Sequence, residues 1–142
     1  MNWMRSGNAW LVGAYIGVLG IIGAARDTAW ANDIAFRETV FNTDFVSAGV
    51  GGMRDATSAS LSVSGIKGTV RRAYLYWHGP MNSDFPLANA TIRMDGQTVT
   101  GVHIGTSDDN CWGFQNSQAY RADVTAQVTA RRNSSYLLSQ FV

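Results

Sequence analysis

Residues 69–80 read TVRRAYLYWHGP. β-Branched and aromatic residues crowd this stretch, as they do in strands that lie on a half-buried pleated surface. Side chains alternate along a strand. Val70, Tyr74 and Tyr76 therefore share one side, and Ala73, Leu75 and Trp77 share the other. Both sides turn apolar toward Trp77. The pattern predicts a central strand over Thr69–Trp77, covered on both faces and stopped by Gly79-Pro80.

The flanking sequence repeats this grammar. Ser58 to Ser64 reads SASLSVS, with Leu61 and Val63 alternating against serines. Ala90–Met94 and Gln97–Val102 flank Asp95-Gly96, a strong two-residue hairpin signal. Ile92 and Met94 share a face, and Val102-His103-Ile104 is expected to extend the return strand. Gly105–Gln118 reads as a polar loop. Tyr120, Ala122 and Val124 alternate with Arg121, Asp123 and Thr125, a half-buried strand expected to run to Val128. Ile34–Phe41 is expected as an edge strand, and Tyr136–Leu138 as a last short apolar run. No helix of ordinary length is expected after residue 32. Short strands joined by turns predict an all-β fold, an antiparallel β-sandwich or jelly roll. Connections too short for crossover helices disfavour a parallel α/β fold.

The N-terminus differs in kind. Residues 9–25 read AWLVGAYIGVLGIIGAA, 13 of 17 apolar, with four glycines and no charge. Arg5 precedes them, and Ala29-Trp30-Ala31 fits a small-x-small cleavage site before Asn32. The expectation is an apolar leader helix, a cleaved signal peptide over 1–31, with 32–142 as the working module outside the cytoplasm. An uncleaved membrane anchor is the main alternative, although a span usually takes about 20 apolar residues. A buried helix is the other, disfavoured by interior glycine.

The chain has 142 residues and net charge +1. Removing residues 1–31 leaves nine positive and nine negative charges. A neutral module has no field to steer nucleic acid, and Arg71-Arg72 and Arg131-Arg132 read as solvated edges or turns. Cys111 is the single cysteine, which excludes an intrachain disulfide.

The stretch Ala73-Tyr74-Leu75-Tyr76-Trp77, with Gly79 after it, resembles the AYLYWxG strand of a family of exported bacterial and archaeal β-rich surface modules. Tyr120–Thr125 is similar to that family's YRADVT-like strand, and Asn133–Tyr136 to its NGTYT-like segment. The likeness covers about Ser60 to Val142. It implies a secreted or cell-surface β-sandwich with a binding or structural role, and it carries no catalytic residues. The family has further strands after this point, which raises the expectation of an incomplete sandwich with an exposed edge, open to self-association or to β-augmentation by a partner.

Candidate sites follow from residue chemistry. Asp108 and Asp109, beside Asn110 and with Asp84 as a helper if loops converge, could hold Ca²⁺ through oxygen ligands; the rival reading is a solvated turn. Trp77, His78 and Trp112 could form a sugar-stacking surface at one end of the sandwich, against a core role for Trp77. His78 and His103 are a metal or acid–base pair only if adjacent in space. No Walker, GxSxG or HExxH spacing is present, and no spacing selects a carboxylate pair for glycoside hydrolysis. The expected partner is an extracellular protein or glycan. A fragment of a secreted carbohydrate-active enzyme and a membrane-anchored envelope protein are the competing expectations.

Overall fold

The computed structural model describes residues 36–53, 55–107 and 113–141. The expected leader lies outside them. The described chain is all-β, with two antiparallel sheets and one short helix. Strands β1 (Ser58–Ser62), β3 (Thr91–Met94), β4 (Gln97–Thr100) and β7 (Ser135–Ser139) form one sheet, in the order β1-β7-β3-β4. Strands β2 (Tyr74–Met81), β5 (Val102–Ser107) and β6 (Asn116–Asp123) form the other, in the order β2-β6-β5.

Alternation builds a single core from both sheets. Leu61, Ile92, Met94, Val99, Tyr136 and Leu138 face inward from the first sheet, and Leu75, Trp77, Tyr120 and Ala122 from the second. Serines and threonines occupy the outward positions of β1 and β4, and Ser135, Leu137 and Ser139 those of β7. The Asp95-Gly96 hairpin forms as expected. Both residues have positive φ, 51° and 79°, the backbone that a two-residue turn requires. The turn is pinned from outside, because Asp95 Oδ1 accepts the Leu137 N–H at 2.9 Å and Asp95 Oδ2 pairs with Arg131.

Several expectations are overturned. Residues 36–41 form no strand. Strand β2 begins at Tyr74 and runs through Gly79 and Pro80 to Met81. The Ala73 carbonyl accepts the Val124 N–H at 2.9 Å, so the odd-numbered residues of β2 bond β6 and the even ones point away. Pro80 therefore forfeits no ladder bond. The same strand lies at the sheet edge with one face open: Tyr76 is 57% exposed.

The return strand is not continuous either. It leaves the first sheet at Gly101, and β5 belongs to the second sheet. Only a residue without Cβ fits this corner, since a Cβ there would lie 2.4 Å from Trp77 Cη2. Both β5 and β6 reach into the stretch expected as a loop.

The strand through Tyr120 stops at Asp123, and α1 (Thr125–Arg131) replaces its expected end. Asp123 Oδ1 accepts the Thr125 N–H at 2.9 Å, and Thr125 Oγ1 accepts the Ala73 N–H at 2.9 Å. Val124 and Val128, four residues apart, are both buried, which a helix satisfies.

Candidate functional site

The expected ligand residues separate. Trp77 is buried at 8% exposure; its ring stacks on Tyr120 at 5.6 Å and its Nε1 donates to the Asn89 carbonyl at 2.8 Å. The same core holds a polar relay. The Asn89 N–H donates to Tyr120 Oη at 3.3 Å, Tyr120 Oη donates to Gln118 Oε1 at 2.7 Å, and Gln118 Nε2 donates to the Ser83 carbonyl at 2.7 Å. This relay hangs the 82–90 loop on β6.

His78 is the next residue along β2, so it faces outward and does not join Trp77. Trp112, Asp108 and Asp109 lie outside the described residues. Asp84 is exposed, and no group of three metal-binding side chains occurs among the described residues. His103 packs its ring edge on Tyr120 at 5.5 Å, with Thr106 Oγ1 2.9 Å from its Nε2. His78 sits opposite Ala119, one residue from Tyr120, and hence on the other face of the sheet. The two histidines do not meet.

What the fold assembles instead is an aromatic row. Burying Leu75 and Trp77 turns Tyr74, Tyr76 and His78 onto the outer face of the second sheet. Successive members are spaced at about 6.8 Å, two residues of strand. Register sets Arg121 beside Tyr76, Val102 beyond Arg121, and Asp123 beside Tyr74. Val102 is 64% exposed, so an apolar side chain flanks Arg121 on the side away from Tyr76.

Charged groups gather at the Tyr74 end. The guanidinium groups of Arg37 and Arg121 lie 5.8 and 5.7 Å from its ring centroid, within cation–π range. The Tyr74 hydroxyl donates to Glu38 Oε1, and Arg72 Nε lies 3.6 Å from Glu38 Oε2. That hydrogen bond, helped by Arg72 and Arg37 against some desolvation, holds the Glu38 carboxyl below its ordinary range and raises the Tyr74 phenol. Hydrogen bonds from Thr125 likewise lower Asp123. A shallow hollow of about 330 Å³ opens beside Glu38, Thr39, Phe41, Arg71 and Arg72.

Glycoside hydrolysis needs one carboxyl held protonated. Glu38 and Asp123, the carboxylates around Tyr74, are both shifted toward the ionised form. An aromatic row exposed at Tyr76 and His78, with guanidinium and carboxylate groups at its Tyr74 end, suits a ring with one apolar face and polar edges. Of this surface, the sequence reading singled out only His78 as a ligand residue. The signal for Tyr74 and Tyr76 was the alternation itself, once Trp77 is assigned to the core.

Comparison with protein-family models, curated proteins and solved structures found no match.

Proposed function

We propose that this chain is an exported, cell-surface or secreted β-sandwich module that binds glycan through the outer face of β2, β6 and β5. The observation that carries the reading is the outward row Tyr74, Tyr76 and His78, exposed at Tyr76 and His78 and half-buried at Tyr74, with exposed Val102 across the sheet. Outward positions of an antiparallel sheet are ordinarily polar, and a clustered aromatic exception is the mark of a contact surface. Tyr76 and His78 supply stacking area, and Arg121 and Asp123 supply hydrogen bonds to hydroxyls. The leader-like N-terminus supports export, where glycans are abundant.

Affinity electrophoresis against a panel of neutral and acidic polysaccharides tests this. At least one polysaccharide retards the wild type, and Tyr76→Ala weakens that binding about ten-fold or more while its circular dichroism is unchanged. Retardation by none of them, or full binding by Tyr76→Ala, would overturn the reading.

A further inference from the structure

Strand β1 is an edge whose outer row of backbone hydrogen-bonding groups is open among the described residues. The Gln140 N–H donates to the Thr57 carbonyl at 3.1 Å, and the Val63 N–H donates to the Ser134 carbonyl at 2.9 Å. Both belong to the register that pairs Ser58 with Ser139 and Ser62 with Ser135. In an antiparallel ladder, hydrogen-bonded and non-bonded pairs alternate. The odd residues 57, 59, 61 and 63 therefore bond β7, and the N–H and C=O groups of Ser58, Ser60 and Ser62 point away from it. None of these groups bonds another described residue.

The other edges carry the protections usual in soluble sheets. The free edge of β2 includes Pro80, which has no N–H. Strand β5 is bulged between His103 and Gly105. Strand β4 offers only Thr98 and Thr100 before the chain leaves the sheet. Strand β1 has no charge, no proline and no bulge.

We propose that β1 pairs with β1 of a second copy of this chain, antiparallel about a two-fold axis at Ser60. The sequence SASLS is self-complementary in that register. Ser58 of one copy faces Ser62 of the other, and Ser60 faces Ser60, so small uncharged side chains meet on the outer face. On the inner face Ala59 meets Leu61, small against large, which extends the apolar layer across the axis. The register also meets the parity requirement: Ser58, Ser60 and Ser62 are the residues whose backbone groups are free, and each finds a partner. A symmetric contact of this kind closes on itself and does not propagate. A single strand pair buries well under the about 1,200 Å² of a standard interface, so the dimer is weak and concentration-dependent.

Sedimentation of the chain over roughly 10 µM to 1 mM reads the association directly. Ser60→Cys, in a Cys111→Ser background, tests the register. A hydrogen-bonded pair sets the two Cα atoms about 5.5 Å apart, within disulfide range. Oxidation then gives a covalent dimer at least ten-fold faster than with Thr98→Cys on the β4 edge. Ser60→Lys opposes two ammonium groups on the axis, and Ser60→Pro removes an N–H that β7 does not use. Both abolish association, and Ser60→Lys decides the matter if Ser60→Pro does not fold. A wild type that stays monomeric at 1 mM overturns the proposal. So does a dimer that ignores Ser60→Lys, or equal cross-linking at residues 60 and 98.

Discussion

Gly101→Ala is the sharpest test of how the two sheets are joined. The added Cβ would sit 2.4 Å from Trp77 Cη2, 2.8 Å from Cζ2 and 3.1 Å from Tyr120 Cβ. Unstrained carbon contacts lie at about 3.5–4.0 Å, so roughly 1 Å of movement is required. The indole cannot give it freely, being stacked on Tyr120 and tied to the Asn89 carbonyl. Overpacking of this kind costs about 1–3 kcal/mol. Releasing the indole hydrogen bond adds about 1 kcal/mol. The lower entropy of the unfolded alanine chain returns about 0.4–1 kcal/mol. The net loss is thus about 2 kcal/mol, against a total stability of about 5–15 kcal/mol. For a module of this size that lowers Tm by roughly 8–16 °C. Urea unfolding followed by circular dichroism measures the loss. Trp77→Phe supplies the control, since it deletes the two ring atoms that clash; in that background Gly101→Ala should cost at least about 1 kcal/mol less. A Gly101→Ala protein within about 0.5 kcal/mol of wild type, or a cost unchanged by Trp77→Phe, would refute the packing argument.

Two further outcomes follow from the polar groups. Tyr120→Phe strands the buried Gln118 Oε1 and removes the acceptor of the Asn89 N–H, so unfolding free energy drops by about 1–3 kcal/mol in urea titration; no change would mean that the relay does not hold the 82–90 loop. Glu38 is held below its ordinary value of 4.5, chiefly by the Tyr74 hydroxyl and then by Arg72 and Arg37. The stability it contributes is therefore present above that ordinary value and is lost as pH falls through the lowered one. The Tyr74 ring resonances should stay constant from neutral pH to about 5 and shift only under stronger acid, and Glu38→Gln should remove that step and leave the smaller one from Asp123. A Tyr74 shift centred above pH 5 would contradict the tether.

Local chemistry was readable wherever a single segment settled its own conformation. Asp95-Gly96 names its turn because both residues tolerate positive φ. The alternation around Leu61, Ile92 and Tyr120 names the inward face of those strands, whereas Tyr136–Leu138 shows only as an apolar run. Where a neighbour decides, the same reasoning misread the chain. Gly79-Pro80 looks like a strand end, yet it is tolerated because β2 has no partner on its outer side among the described residues. Val102-His103-Ile104 looks like more of the β4 strand, yet the chain must leave that sheet at Gly101 so that Trp77 can fill the corner. Val124 to Val128 fits period two or period four, and the Ala73 hydrogen bond to Thr125 selects the helix.

The candidate surface divides in the same way. The run AYLYWH by itself determined that aromatic side chains alternate between two faces, and that at least one face must be buried. Which face that is depends on the partner strand. Pairing with β6 sets Trp77 over Tyr120 inside the sandwich and leaves Tyr74, Tyr76 and His78 outside. Burial is a property of what packs on a strand, and among the described residues β2 has a partner sheet on one side alone. Likewise the serines of β1 could be read as a polar face, but the open edge of that strand exists only because β7 takes its other side.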